Sequence, residues 1–268
     1  MDTSPLVVNS ATRLGPDAAG RVVVCGSHGG VYPASMLARA RVRAAISNDA
    51  GVGKDGAGIG GLYWLEKLGI AACTAGHDGA RIGDAADGLE HGKVSHANKQ
   101  AAALGVKAGM PCREAVAHLN RAHPFEGDIP QLGETRVKVP ASGHREVWAL
   151  DSITLSRPED ARAIVLSGTH GAVLGGKADD GMLKVDVFAA FFNDAGGGKD
   201  GVGYSRLPTL DPRGIAAATV SSNTARIGDG RSTYESGVLS RVNEVGKRLG
   251  MEEGMTAREA VARLLGLA

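Results

Sequence analysis

Apolar residues fall into short uninterrupted runs, and these runs occur in pairs along the chain. Val22–Gly26 corresponds to Ala163–Gly168, and Arg43–Ser47 corresponds to Val187–Phe192. Uninterrupted apolar runs of this length predict strands that are buried on both faces, as in parallel sheets. Weaker runs predict four further strands, at Leu6–Ala11, Ile70–Thr74, Val147–Ile153 and Ile215–Val220.

Helical patterns lie between the predicted strands. Ala34–Arg41 follows Pro33, which suits the first turn of a helix, and Leu62–Leu68 predicts a second short helix. In the second half of the chain, Pro208 and Pro212 interrupt the corresponding region, so a shortened or broken helix is expected there. Strands that alternate with helices predict an α/β fold with largely parallel sheets and flanking helices.

Later in each half, a polar segment precedes residues at helical spacing. The polar segments contain Ala80–Asp84 and Ala225–Asp229 and are predicted to be long loops. A last helix is expected to start near Pro111 or near Thr256, where Glu259 completes a capping box. The residues at helical spacing, which predict one more helix in each half, are Val94, Ala97, Ala101 and Leu104, and then Leu239, Val242, Gly246 and Leu249.

Nearly the whole pattern occurs twice. Asn48–Gly56 returns as Asn193–Gly201, and in both copies an Asn-Asp-Ala-Gly turn precedes Gly-Lys-Asp-Gly. Segments that recur in the same order predict a tandem duplication of a βαβ-type unit, with the two copies related by a pseudo-two-fold axis.

A segment without a counterpart separates the two copies. We predict a first α/β repeat over residues 1–120, a linker over 121–143 and a second α/β repeat over 144–268. Within the linker, Thr135–Val139 is expected to add an edge strand.

Composition limits the classes of function. The 268 residues carry a formal net charge of +1, which gives no electrostatic case for nucleic acid or an anionic membrane. No apolar run approaches the roughly 18 residues of a membrane span, and Met1–Ser10 lacks the basic and apolar regions of a secretory signal. Cys25, Cys73 and Cys112 have no metal-type spacing and are predicted to be reduced thiols. We therefore expect a cytoplasmic protein with a small-molecule ligand, and homo-oligomerisation stays open.

The end of the second strand in each half carries one candidate site. Ser27-His28-Gly29-Gly30 corresponds to a segment that begins Thr169-His170. Backbone N–H groups in such a turn can hold an anion, and the glycines permit close approach. Because a histidine occurs in both halves, it is the expected proton-transfer group. The alternative is that it caps a neighbouring loop.

The repeated Asn-Asp loops carry a second candidate site, because loops that follow strand ends bind ligands in open α/β sheets. Asp49 and Asp194 fit a general base, a metal ligand or an Asx-type turn. Lys54 and Lys199 are expected to face a ligand, since a surface Lys-Asp pair alone contributes little to stability.

Two arginines and three histidines complete the candidates. Arg81 and Arg226 fit either a substrate carboxylate or an ion pair that fixes the long loop. Three histidines occur only in the first half, which predicts that this half carries more of the activity; surface drift is the alternative. These are His77, His91 and His96, where the second half has Ser222, Ser236 and Arg241.

These residues favour a small-molecule enzyme with its site between the two halves. The expected reaction is hydrolysis of a C–N bond, or addition–elimination by a lyase, on a carboxylate- or amide-bearing substrate. One alternative is a non-catalytic protein that binds a phosphate- or carboxylate-bearing ligand. Another is a paralogous assembly protein whose repeated loops form subunit contacts.

The cofactor is left open. A P-loop and a full dinucleotide fingerprint are absent from the sequence, which disfavours a nucleotide, while a divalent metal stays an alternative to no cofactor. The predicted catalytic residues are His28, Asp49, Lys54, His170, Asp194 and Lys199. The predicted substrate-binding residues are Ser27, Gly29, Gly30, Asn48, Asp55, Arg81, Thr169, Asn193, Asp200 and Arg226.

Overall fold

The computed structural model of the protein describes residues 4–177 and 183–266, and its first half is built on a five-stranded sheet. The strands of this sheet are β1 (Leu6–Val8), β2 (Val22–His28), β3 (Ala44–Asn48), β4 (Ala71–Ala75) and β5 (Val94–Ala97). They lie side by side in chain order. Strands β1 to β4 are parallel, as their uninterrupted apolar runs predict, and β5 pairs antiparallel with β4.

The second half is built on a six-stranded sheet. Its strands are β6 (Arg136–Lys138), β7 (Val147–Leu150), β8 (Ile164–His170), β9 (Ala189–Asn193), β10 (Ala216–Val220) and β11 (Leu239–Val242). They also lie in chain order, with β7 to β10 parallel and with β6 and β11 antiparallel at the two edges. Strand β6 is the added edge strand that the sequence predicts within the linker.

Helices pack on the faces of both sheets. In the first half these are α1 (Val31–Arg39), α2 (Gly60–Lys67), α3 (Ala85–His91), α4 (Lys99–Ala103) and α5 (Cys112–Leu119). In the second half they are α6 (Leu207–Leu210), α7 (Gly230–Ser236), α8 (Glu244–Arg248) and α9 (Ala257–Leu264). The brevity of α6 agrees with the expected effect of Pro208 and Pro212. Among these described helices, none is long and apolar enough to cross a bilayer.

Successive residues of the central strands fill two different cores. On β2, Val22 and Val24 pack in a cluster with Leu119 of α5, whereas Val23 packs in a cluster with Leu37 of α1. This division follows because successive side chains of a strand point to opposite faces. The residues of β8 divide between two clusters in the same way. The protein is therefore an α/β fold with two mostly parallel sheets and flanking helices, as the sequence predicts.

Two of the predicted helices are wrong over their first four residues. Val94–Ala97 and Leu239–Val242 are the edge strands β5 and β11, and helices α4 and α8 begin only after them. The side-chain oxygen of Asn98 caps α4 by accepting the N–H of Ala101, and Asn243 caps α8 in the same way. The helical spacing is misleading because the strand and the following helix bury their apolar residues in one core.

Two helices lie in regions that the sequence assigns to long loops. The segments Ala80–Asp84 and Ala225–Asp229 lead directly into α3 and α7. Asp84 and Asp229 accept backbone N–H groups at the starts of these helices, at 3.1 and 2.8 Å. Each aspartate is thus an N-cap, a role for which aspartate is among the preferred residues.

The two halves meet through their repeated loops. The N–H of Lys54 donates to the carbonyl of Ser222, and the N–H of Lys199 donates to the carbonyl of His77, both at 2.8 Å. Lys54 corresponds to Lys199 in the repeat, and His77 corresponds to Ser222, so each contact is the image of the other. Such reciprocity is expected of an interface on a two-fold axis. The buried apolar centre of the interface consists of Ala50, Ile82, Ala172, Ala195 and Ile227.

Candidate functional site

A cleft of about 480 Å³ lies between the two halves. The first half contributes His28 and the first turn of α1, and the linker contributes Leu132–Glu134. The second half contributes Asp151, His170 and Arg226–Asp229. Clefts that combine apolar walls with a few polar groups are the usual sites for small ligands.

The histidines at the ends of β2 and β8 are uncharged at neutral pH. Burial lowers the pKa of His28 to about 4. Burial also lowers the pKa of His170 to about 3, with a smaller contribution from the positive charge of Arg206. Removal from water disfavours the charged form of an imidazole. Neither ring is therefore poised to exchange a proton with water near pH 7.

Backbone hydrogen bonds fix the tautomer of both rings. The Nδ1 of His28 accepts the N–H of Gly30 at 3.2 Å, and the Nδ1 of His170 accepts the N–H of Ala172 at 3.3 Å. In a neutral imidazole whose Nδ1 accepts, the proton is on Nε2. Within the described parts of the chain, neither Nε2 has a hydrogen-bond partner, so each ring offers one N–H donor. The His170 side chain is otherwise enclosed, since the residue is 5% exposed.

Glu134 of the linker is the group in the cleft that titrates near neutral pH. Burial raises the pKa of this carboxyl to about 7, and the nearby negative charge of Asp151 adds to the increase. A hydrogen bond with Tyr32 of α1 acts in the opposite direction. A carboxyl with a pKa near the working pH is suited to general acid–base catalysis.

Strand β6 sets the position of Glu134. The carboxylate of Asp151 accepts the N–H of Thr135 at 2.7 Å and its hydroxyl at 2.8 Å, directly before β6 begins. Its other oxygen accepts the N–H of Gly230 at the start of α7, at 3.2 Å. The linker is thereby fastened to the second half, and its acid faces the first turn of α1.

The remaining charges of the cleft are mostly negative. Arg226 donates to Asp55 of the first half at 3.0 Å and to Asp229 at 2.8 Å, so its guanidinium is shared between two carboxylates. With Glu134 and Asp151, the described residues that line the cleft include four acids and one arginine.

The corresponding place in the second half is filled by protein. Leu174, which is 2% exposed, lies 3.3 Å from the position that a Cβ on Gly83 would occupy. The N–H of Gly175 donates to the carbonyl of Gly83 at 2.8 Å. Gly228 is the counterpart of Gly83, and it faces the ring of His28 in the cleft instead. The repeat thus builds one open cleft and one filled counterpart.

The structure divides the predicted site residues into two groups. Those that line the cleft are Ser27, His28, Asp55, Thr169, His170 and Arg226. Outside its lining are Gly29, Gly30, Asn48, Asp49, Lys54, Arg81, Asn193, Asp194, Lys199 and Asp200.

Asp49 and Asp194 build turns. One oxygen of Asp49 accepts the N–H of Gly51 at 3.0 Å and the N–H of His77 at 2.9 Å. The corresponding oxygen of Asp194 accepts the N–H groups of Gly196 and Ser222 at 3.0 and 2.9 Å. Asn48 and Asn193 likewise bond to backbone atoms in their own halves. In this structure, these side chains order the loops at the interface between the halves.

The lysines of the loops, and Arg81, connect the two halves. The amine of Lys54 donates to the hydroxyl of Ser236 at 2.8 Å, and the amine of Lys199 donates to Asp87 at 2.7 Å. Arg81 bonds to Asp87 and also to Asp200 of the other half. All of these contacts except Arg81 with Asp87 cross the interface.

The strand-end hydroxyls and glycines support the turn around His28. The hydroxyl of Ser27 accepts the N–H of Ala11 at 3.0 Å, and Thr169 makes the equivalent bond at 2.8 Å. A Cβ on Gly29 would come within 2.8 Å of the carbonyl oxygen of Gly58, so the chain packs tightly there.

Sequence reasoning missed Glu134, Tyr32 and Asp151. Glu134 belongs to the linker, which has no counterpart in the repeat, so comparison of the two copies cannot identify it. Asp151 has the counterpart Asn9, and this gain of charge at a repeated position is the signal that could have identified it.

Neither a metal centre nor a known relative helps to assign the site. No group of three or more His, Cys, Asp or Glu residues within 4–177 and 183–266 is arranged to hold a metal ion. Comparison of the chain with models of protein families, with curated proteins and with solved structures gives no match.

Proposed function

We propose that the protein is a small-molecule enzyme that acts on an amide in the cleft between its halves, by hydrolysis of the C–N bond. The observation that carries the proposal is that two neutral imidazole N–H donors and a carboxyl with a pKa of about 7 line one cleft. Addition–elimination by a lyase at a similar carbonyl compound would use the same groups.

The imidazoles are suited to polarising a carbonyl. A neutral Nε2–H from His28 or His170 can donate to a carbonyl oxygen and to the oxyanion that forms from it. Neutral imidazole acts as an electrophile in this way in other enzymes when its pKa is strongly lowered. Both rings are held by backbone bonds at Nδ1, so little reorganisation is needed when charge develops.

Glu134 supplies the proton transfers. In its ionised form it takes a proton from water while the water oxygen attacks the carbonyl carbon and the carbonyl electron pair moves to oxygen. When the intermediate collapses, the C–N bond breaks and Glu134 returns that proton to the leaving nitrogen. The products are a carboxylic acid and ammonia or an amine, and Glu134 is ionised again.

Two alternatives are less well supported. A binding protein for phosphate or a carboxylate would need cations in the cleft, whereas its described lining has four acids and one arginine, which already bonds to Asp55 and Asp229. The repeated loops do form an interface, but within the described chain that interface joins the two halves of one molecule. Cytoplasmic localisation and homo-oligomerisation stay predictions from the sequence.

The proposal is tested by ammonia release from a panel of short primary amides. We expect kcat/KM to rise as the pH passes about 7, where Glu134 loses its proton. Glu134→Gln should lower kcat by about 100-fold or more, and His28→Ala and His170→Ala should also reduce turnover. Glu126→Gln is the matched control, because Glu126 is an exposed acid of the same linker. The proposal would be refuted if the His28, His170 and Glu134 variants turned over amides as fast as the wild type, or if no amide were turned over at all.

A further inference from the structure

Among the described residues, the carboxylates of Glu134 and Asp151 have no cationic partner. Arg226 bonds to Asp55 and Asp229, and both histidines are neutral. Within the described residues, no lysine or arginine pairs with Glu134 or Asp151. The two acids line the same cleft, and the charge of Asp151 contributes to the raised pKa of Glu134. Such a pair attracts a positive group on a ligand.

The histidines independently show where the uncharged part of a ligand would bind. His170 lines the cleft, and although the residue is only 5% exposed, its Nε2 has no hydrogen-bond partner in the described chain. The Nε2 is not among the fully buried polar atoms without a partner, so its N–H is accessible and can donate to an acceptor on a ligand. Because the ring is uncharged, its N–H suits a neutral carbonyl oxygen better than a carboxylate.

We infer that the substrate is a small amide that also carries an amine. Its carbonyl oxygen accepts from the imidazole N–H groups, and its protonated amine binds to Asp151 and Glu134. The inference deepens the proposed function and rests on it. The ammonium group also favours the ionised form of Glu134, which is the form that takes a proton from water.

Charge decides between the candidate substrates. A carboxylate in place of the amine would be held next to Asp151 and Glu134, and like charges in a partly buried site repel each other. A neutral group would gain nothing from either acid. An amide with an ammonium group is therefore expected to bind more tightly than a neutral amide, which in turn binds more tightly than an amide with a carboxylate.

The test uses three probes that share one amide group: 3-aminopropanamide, propanamide and succinamate. Their binding to the full-length protein is followed by NMR, through the ring signals of His28 and His170. We expect 3-aminopropanamide to bind about 5- to 10-fold more tightly than propanamide, and succinamate to bind most weakly.

Asp151→Asn is the decisive variant. Asn9 occupies the equivalent position in the first half and accepts the N–H of Ala85. An asparagine at 151 can therefore keep the bond from the N–H of Gly230, and it gives up the one from the N–H of Thr135. The variant should lose the preference for 3-aminopropanamide, and ring signals of His28 and His170 that match the wild type without ligand would show that the cleft is intact.

Two outcomes would overturn the inference in distinguishable ways. If succinamate or propanamide binds as tightly as 3-aminopropanamide, or if Asp151→Asn keeps the preference, the substrate class is wrong and the amide function stands. If none of the three probes shifts either histidine, the proposed function is wrong as well.

Discussion

The amine of Lys199 lies 2.7 Å from the carboxylate of Asp87, which belongs to the other half of the chain. Asp87 also accepts the guanidinium of Arg81 at 2.6 Å, and its side chain is 4% exposed. At the corresponding position the second half has Ser232, so this buried link occurs on one side of the interface.

Replacement of Asp87 should therefore weaken the interface more than replacement of an exposed acid. We expect Asp87→Asn to lower the free energy of unfolding by about 2 kcal/mol or more, because it leaves two cations without their buried partner. The matched control is Asp55→Asn, which removes an exposed pair with Arg226 and should cost less than about 1 kcal/mol. Chemical denaturation measures both. Equal losses would show that burial of Asp87 does not matter.

His77 should make the interface sensitive to alkaline pH. A hydrogen bond with Asp49 raises the pKa of this imidazole, although burial acts against the increase. Because the folded-state pKa is above the unfolded value of 6.5, the stabilisation is present below pH 6.5 and is lost as the pH rises through the folded-state pKa.

The residue of the second half provides the variant. His77→Ser introduces the residue that the second half has at the corresponding position, Ser222. The variant keeps the backbone N–H that bonds to Asp49. We expect this variant to lose the decrease in stability above pH 6.5, measured by thermal unfolding across pH. A decrease of the same size in the variant would mean that another group titrates.

Glu134→Gln should stabilise the protein at alkaline pH. The carboxyl has a folded-state pKa of about 7 against an ordinary value of 4.5, so folding favours its protonated form. Its contribution is present below pH 4.5 and is lost as the pH rises to about 7. Glutamine is neutral at every pH, and it should raise the free energy of unfolding at pH 8 by about 1–3 kcal/mol. At pH 5 the difference should be much smaller; an equal gain there would exclude this explanation.

Gly51→Ala should separate the cost of backbone strain from that of a clash between the halves. Gly51 has φ of +74°, and a Cβ there would lie 2.9 Å from the Cα of Gly196. Gly69 has φ of +78° with open space around it, so Gly69→Ala is the control for strain alone. We expect Gly69→Ala to lower the free energy of unfolding by about 1 kcal/mol and Gly51→Ala to lower it by clearly more. Chemical denaturation measures both. Similar losses for the two variants would show that the loops shift to accommodate the added Cβ without a further loss of stability.

The sequence predicts the sheets better than the cleft. Runs such as Val22–Gly26 identify the parallel strands because both faces of those strands are buried. Edge strands such as β5 give a weaker pattern, and Asn98 is the capping signal that separates β5 from α4. The histidines could be found because both copies contain them. Glu134 could not, because it belongs to a linker that has no counterpart in the repeat and its raised pKa depends on burial in the folded protein.

The reciprocal contacts between the halves have a consequence for how the site could change. In a dimer of identical chains, each substitution occurs twice, so a leucine that fills one cleft also fills the other. Here Leu174 closes one position while α1 and Glu134 leave its counterpart open. Because one chain carries both sides, each cleft can acquire mutations independently while the interface keeps its symmetry.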